Sequence, residues 1–217
     1  MKARVFDVAR YILEKKGGMT AMKLQKLVYY AQCWSLVWDE KPLFDADIQA
    51  WRNGLVCLAL YEAHRGKFKV EALDIEGDGN RLDDDARQTI DAVLDFYASH
   101  SAQWLSDLSH LEDPWILARR RAGAAPTDNC EEVITCADMH EYYCGIWPAD
   151  DQSASIRAES DPESLAGIEN KRTRTEKKKP PVCKPHRRID KNERNEGSNP
   201  RQNESPANKP TPAASCR

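Results

Sequence analysis

Residues 20–38 read Thr-Ala-Met-Lys-Leu-Gln-Lys-Leu-Val-Tyr-Tyr-Ala-Gln-Cys-Trp-Ser-Leu-Val-Trp and hold the clearest helical pattern in the chain. Thr20 is a good N-cap, because its hydroxyl can accept a hydrogen bond from a free backbone N–H two or three residues on. Apolar residues then recur at helical spacing and form one stripe, Leu24, Leu27, Val28, Ala31, Trp34 and Trp38. The pattern predicts an amphipathic helix with Lys23, Lys26 and Tyr30 to the side of that stripe.

The remainder of residues 1–147 is also mostly helical in pattern. Helix start signals or helical apolar spacing occur at several further places, Val5, Val56–His64, Asp83–Asp85, Ser101, Asp113-Pro114 and Thr135. Ile48–Trp51 reads as a short extended piece, and Lys67–Ile75 reads as a strand. We therefore predict a mainly α fold, a compact multi-helix domain with a small β element.

The charge balance separates this domain from a different C-terminal part. The first 150 residues carry 17 basic and 25 acidic side chains, whereas residues 151–217 carry 15 basic and 10 acidic ones. The second part also holds eight of the 12 prolines and no Phe, Trp or Tyr. So little apolar area cannot offset an ordering cost of roughly 1–2 kcal/mol per residue. We predict a domain at 1–147 and a disordered, basic, Pro-rich tail at 148–217.

Composition also bears on the compartment. The chain contains no run of about 18 apolar residues, so we expect no membrane partner. Its N-terminus lacks the apolar core of a signal peptide. The seven cysteines are an odd number and are widely scattered, unlike the dense framework of a secreted disulfide-rich domain. We expect a cytoplasmic protein with reduced cysteines.

Four motifs are shared with one known family. Leu24–Gln32 reads Leu-Gln-Lys-Leu-Val-Tyr-Tyr-Ala-Gln, and residues 51–61 place a Trp before an Asn-Gly pair and end in Leu-Tyr. Residues 63–66 read Ala-His-Arg-Gly, and residues 104–119 contain Trp-Leu and then His-Leu-Glu-Asp-Pro-Trp followed by Ala-Arg. These motifs resemble the Panacea domain, also described as the phage-associated GepA/SocA-like family. The similarity covers about residues 1–147.

One segment departs from the family pattern. Family members usually read Gly-Pro-Val-Val-Pro after the Trp, whereas this chain reads Gly-Leu-Val-Cys-Leu at 54–58. Leu55 and Leu58 therefore stand where both prolines are expected. Because proline fixes φ, its loss predicts a looser local turn, and weaker activity if that turn contacts a partner.

The resemblance implies an antitoxin that neutralises a cognate toxin by direct protein–protein contact. Some relatives deliver the toxin to an ATP-dependent protease, so a role as a proteolytic adaptor stays open. The resemblance implies no enzyme activity, cofactor or metal. Contact energy in such interfaces concentrates at Trp, Tyr and Arg. The candidate toxin-binding residues are Trp51, Arg52, Asn53, Gly54, Tyr61, His64, Arg65, His110, Glu112 and Trp115.

An enzyme is the alternative reading. His110 and Glu112 could serve acid–base or metal chemistry in a phage-linked hydrolase or nuclease. No third ligand or nucleophile lies at a defined spacing from them, so the pair is a weak signal. A solvated helix end, or a bond that ties the loop before Pro114, explains the same two residues.

Three other patterns are weaker evidence for a function. Cys136, His140 and Cys144 cannot all bind one zinc ion, because eight helical residues rise about 12 Å while zinc–ligand bonds are about 2.0–2.3 Å. Residues 74–85 approach a calcium loop but end in Asp instead of a bidentate Glu. Lys and Arg clusters in the basic tail could contact phosphates non-specifically, but the tail lacks the aromatic residues that stack on bases, so nucleic acid is the less favoured partner.

Overall fold

The computed structural model describes residues 4–147. These residues form seven α-helices: α1 Val5–Lys16, α2 Ala21–Trp38, α3 Leu58–His64, α4 Asp84–Tyr97, α5 Ala102–His110, α6 Asp113–Arg121 and α7 Cys136–Ile146. They also form four short strands: β1 Met19–Thr20, β2 Ile48–Trp51, β3 Gly54–Cys57 and β4 Lys69–Val70. The predicted mainly α fold with a small β element is confirmed. The predicted tail at 148–217 lies outside the described residues.

Helix α2 runs through the middle of the domain. Thr20 caps it as predicted, since the Lys23 N–H donates to Thr20 Oγ1 at 3.3 Å. Every residue from Leu24 to Leu36 is buried, because α1, α4, α5 and α7 all pack against this helix. The prediction of one apolar stripe was therefore too narrow. Lys26 and Tyr30, expected beside that stripe, are buried as well, because neighbouring elements enclose this part of the helix on all sides.

Two antiparallel strand pairs complete the fold. Strand β1 pairs with β4, and β2 pairs with β3 in a hairpin whose register joins Trp51 to Gly54. The hairpin loop is therefore the two residues Arg52 and Asn53. Residues 132–134 extend the hairpin on the other edge of β2, where Ala50 N–H donates to the Glu132 carbonyl at 2.9 Å.

Three predicted boundaries were wrong for identifiable reasons. The strand predicted at 67–75 is limited to Lys69–Val70, because a 3₁₀ turn at Ala72–Asp74 follows. Helix α3 begins at Leu58 and not at Val56, since Val56 pairs with Gln49 in the hairpin. The N-cap of α6 is Glu112 instead of Asp113, and its side chain turns inward without capping the helix.

Stacked aromatic rings fill the core where α2 meets α4 and α7. Tyr30 stacks on Tyr97 with ring centroids 4.1 Å apart, and Trp34 meets Tyr143 edge to face at 5.4 Å. Such contacts stabilise a core beyond the apolar area that they bury. Helix α7 is thus part of the same core. Among the described helices, none is both long enough and apolar enough to cross a membrane.

Candidate functional site

The β2–β3 hairpin carries its loop to the surface of the domain. Arg52 and Asn53 are exposed at the tip, and Trp51 is half-buried beside them. The Trp51 indole Nε1 donates to Gln49 Oε1 at 2.7 Å, and its ring meets Tyr61 edge to face at 4.9 Å. These two contacts fix the orientation of the indole next to the exposed tip.

Helix α6 holds the hairpin from one side. Trp115 and Arg119 lie on one face of the helix because they are four residues apart. Trp115 Nε1 donates to the Trp51 carbonyl at 3.1 Å, and Arg119 Nη1 donates to the Ala50 carbonyl at 3.0 Å. The Arg119 guanidinium also lies over the Trp115 ring, 5.0 Å from its centroid. Helix α6 therefore fixes the backbone of β2 at the end nearest the tip.

Helix α2 holds the hairpin from the other side. The Cys57 N–H donates to Gln25 Oε1 at 2.8 Å, Gln25 Nε2 donates to the Cys57 carbonyl at 3.3 Å, and Lys26 Nζ donates to the Leu55 carbonyl at 3.1 Å. These backbone groups lie on the edge of β3 that faces away from β2. The two side chains of α2 thus satisfy an edge that would otherwise need another strand.

His64 completes the contacts of Gln25. Its Nε2 lies 3.0 Å from Gln25 Nε2. Burial lowers the pKa of His64, so the neutral ring accepts this hydrogen bond. The Leu58 N–H donates to the Asp47 carbonyl at 3.3 Å, a bond that a proline at this position could not make. Residues 54–58 are therefore held by hydrogen bonds. This is the segment for which the absence of both prolines predicted a looser turn.

Gly54 is required by both its conformation and its surroundings. Its φ of 107° lies in a region that L side chains rarely adopt. A Cβ at this position would collide with Lys26 Nζ and lie 3.3 Å from His110 Cε1. The buried ammonium group is therefore directly beneath the backbone of the exposed loop.

Lys26 and Glu112 are two charged residues in the interior, each 1% exposed. Glu112 accepts hydrogen bonds from the hydroxyls of Tyr143 at 2.8 Å and Tyr30 at 3.5 Å. Burial raises the pKa of Glu112 to about 8 and lowers the pKa of Lys26 to about 7, because removal from water disfavours both charged forms. Attraction between the two groups opposes both shifts.

Ring contacts connect the candidate residues that are exposed or half-buried. The Arg65 guanidinium lies 5.9 Å from the centre of the Tyr61 ring, and His110 meets Trp115 edge to face at 4.6 Å. Tyr61 contacts Trp51, whose carbonyl accepts from Trp115. We call the resulting set the hairpin surface, which consists of Trp51, Arg52, Asn53, Tyr61, Arg65, His110 and Trp115.

Two further candidate residues, His64 and Glu112, face the interior. His64 is 3% exposed and Glu112 is 1% exposed, so they support the hairpin surface without forming part of it. His110 and Glu112 also point to different partners. His110 Nδ1 donates to the Ser106 carbonyl at 2.7 Å, whereas Glu112 contacts tyrosine hydroxyls. The structure does not bring them together as an acid–base pair.

The structure adds residues that the sequence reading missed. A cleft of about 200 Å³ adjoins the tip, with Val56 in its lining and residues 129–131 on its far side. The pairing of β2 with residues 132–134 and the bond from Arg119 to the Asp128 carbonyl bring 129–131 there, so no local signal could have identified them. Gln25 and Lys26 did carry a signal, since they are polar residues inside the Leu24–Gln32 motif.

The metal-like patterns take other roles. Cys144 Sγ lies 3.4 Å from His140 Nε2 on α7. Within residues 4–147, no three His, Cys, Asp or Glu side chains converge as metal ligands. In the calcium-like segment, Asp83 Oδ1 instead accepts from the Ala86 N–H at 2.7 Å and caps α4.

Comparison with protein families identifies this region. Residues 24–116 match the family model described as Antitoxin SocA-like, Panacea domain. This segment of the chain is therefore similar to SocA-like Panacea antitoxins, and the resemblance drawn from the motifs is confirmed over these residues, a narrower range than the expected 1–147. The matched range contains α2, the hairpin and Trp115. Comparisons with curated proteins and with solved structures give no match.

Proposed function

We propose that this protein neutralises a cognate toxin by direct contact and that the hairpin surface makes this contact. One observation carries the proposal. Within the antitoxin-type segment, half-buried Trp and Tyr side chains and exposed Arg side chains form one connected surface around a loop that two helices hold in place. These residue types dominate the binding energy of protein interfaces.

The rigidity of the hairpin supports the same proposal. Binding costs free energy for every loop and side chain that must be ordered in the complex. Here α6 holds the backbone of β2 and α2 holds the backbone of β3, so the tip is ordered before a partner arrives. Direct contact alone can then block the toxin, and delivery to an ATP-dependent protease is a second route through the same contact.

We expect the gene next to this one to encode the toxin, and co-expression of the two proteins tests the proposal. We expect wild-type protein to restore growth, and we expect Trp51→Ala and Arg52→Glu to lose this rescue at equal protein levels. Arg81→Glu is the matched control, because it reverses an exposed charge on a second 3₁₀ turn, Gly79–Arg81, which packs against α1. It should rescue as well as the wild type.

Two outcomes would contradict this proposal in different ways. Failure of the wild type to rescue growth would reject neutralisation. Rescue by Arg52→Glu and Trp51→Ala that equals the wild type would reject the hairpin surface as the contact. Repeating the assay in a host that lacks its ATP-dependent proteases separates the routes, since delivery to a protease requires them and direct blocking does not.

A further inference from the structure

A buried ammonium group lies directly beneath an exposed loop in this domain. Lys26 Nζ donates to the Leu55 carbonyl at 3.1 Å and occupies the space where a Cβ of residue 54 would stand. His110 faces the same space from α5, and Glu112 attracts the ammonium from the start of α6. Three elements therefore enclose the end of this side chain.

Global stability does not explain a lysine at this position. A buried charge loses its hydration. The single hydrogen bond to Leu55 and the attraction of the Glu112 carboxylate offset that loss poorly. An apolar side chain of similar length, such as Met, would fill the same space without this cost. What a Met could not do is donate a hydrogen bond to the backbone of β3. The bond to Leu55 is thus the contribution that is specific to lysine.

That bond acts on the loop at a sensitive point. Leu55 follows Gly54, whose φ of 107° sets the direction in which Asn53 and Arg52 leave the strand. The Lys26 amine can donate to this carbonyl whether or not it carries a charge, and the bond restricts the carbonyl in a way that an apolar side chain cannot. Lys26 also blocks the loop from moving inward, because no space remains between its ammonium and the Gly54 backbone.

We propose that Lys26 is a positioning residue that holds the Arg52–Asn53 loop in the conformation that contacts the toxin. Lys26 is buried and does not touch the partner itself. The effect of Lys26 on toxin binding rests on the proposed function, but its effect on the loop can be measured without a toxin. Lys26→Met is the central variant, because it keeps the length and removes the donor.

Amide hydrogen exchange measured by NMR on the full chain tests the structural part. In Lys26→Met we expect the amides of residues 53–57 to exchange about tenfold faster, a factor in the range expected for the loss of one buried hydrogen bond. The amides of α4 should not change. Faster exchange at the tip with an unchanged melting temperature indicates positioning. A general loss of stability would instead speed exchange in the tip and in α4 alike.

Lys23→Met is the matched control. Lys23 lies on the same helix, and its Nζ donates to another backbone carbonyl, that of Ala98 at 2.7 Å. This variant should change exchange near the end of α4 and leave residues 53–57 as they are. Unchanged exchange at the tip in Lys26→Met would overturn the proposal. If Lys26→Met fails to fold, Lys26→Leu replaces it, because it also removes the donor and leaves the Gly54 backbone unchanged.

A double-mutant cycle tests the link to binding. We expect Lys26→Met to weaken binding of the neighbouring toxin about tenfold in the wild-type background. It should have little further effect when Arg52 and Asn53 are both Ala, because the positioned side chains are then absent. Equal effects in both backgrounds would overturn the proposal. Absence of toxin binding by the wild type would instead reject the proposed function, and the exchange data would still decide whether Lys26 fixes the loop.

Discussion

Gly54 couples the exposed loop to the interior through a single backbone position. We expect Gly54→Ala to destabilise the domain more than Gly66→Ala does. Both glycines have positive φ, 107° and 81°, so both variants should lose about 1–2 kcal/mol from backbone strain. Only at Gly54 must an added Cβ displace Lys26, whose end is enclosed and cannot swing away, which adds about 1–3 kcal/mol.

Urea denaturation of the two variants measures this difference. Gly66 is a suitable control because nothing lies within 4 Å of an added Cβ there. Equal losses of unfolding free energy in both variants would show that the ammonium does not press against the loop. The comparison thus separates the conformational requirement for glycine from the steric one.

Glu112 makes stability depend on pH. Its pKa is raised from 4.5 to about 8 by burial, so the folded protein binds this proton more tightly than the unfolded chain does. Its contribution to stability is therefore complete below pH 4.5 and is lost as pH rises towards 8. We expect wild-type protein to lose up to about 1.4 kcal/mol per pH unit relative to Glu112→Gln between pH 5 and 7.

Denaturation of both proteins at pH 5, 6 and 7 gives this slope. The window ends at pH 7 because Lys26, with its pKa lowered from 10.5 to about 7, adds an opposite slope above that value. Glu131→Gln changes an exposed carboxylate and should follow the wild type at each pH. A constant difference between wild type and Glu112→Gln would mean that Glu112 is ionised in the folded protein.

At the scale of elements, α2 uses two glutamines to bind neighbouring backbone. Gln25 bonds both backbone groups of Cys57, and Gln32 Oε1 accepts from the N–H groups of Leu43 and Phe44 at 2.8 and 3.1 Å. Gln25→Ala should cost roughly 2–4 kcal/mol, because two buried backbone groups lose their partners. We expect it to speed amide exchange in β3 while exchange at residues 43–44 stays the same.

Gln32→Ala should give the reverse pattern and serves as the control. It removes the same amide from the same helix and leaves β3 bonded to Gln25. Hydrogen exchange that increases equally in both segments for either variant would contradict the assignment of each glutamine to its own segment. It would indicate instead that α2 and its neighbours open as one unit.

The elements also show what local sequence could and could not predict. The caps at Thr20, Asp83 and Ser101 depend on neighbours within four residues, so the sequence predicted them correctly. The burial of Lys26 depends on four helices that enclose α2, and periodicity within one helix does not report on them. Residues 129–131 reach the site through the pairing of residues 132–134 with β2 and through Arg119, which donates to the Asp128 carbonyl.

At the scale of the whole molecule, the core extends beyond the matched Panacea segment. That segment ends at residue 116, yet Tyr143 on α7 donates to the buried Glu112 at 2.8 Å. Residues 132–134 pair with β2 directly behind the hairpin surface. The part of the chain after α6 therefore supports the site from two directions, although the sequence motifs of the family lie before it.

Truncation tests this dependence. We expect a fragment of residues 1–147 to keep the dispersed amide NMR spectrum and the melting temperature of the full chain, because the core described for residues 4–147 is complete within it. A fragment of residues 1–121 loses Tyr143, which bonds Glu112, and residues 132–134, which pair with β2, so it should show a collapsed spectrum and no cooperative melting. A cooperative transition in the shorter fragment would mean that the matched segment folds alone. The hairpin surface would then be independent of α7, and toxin binding by the shorter fragment would show it directly.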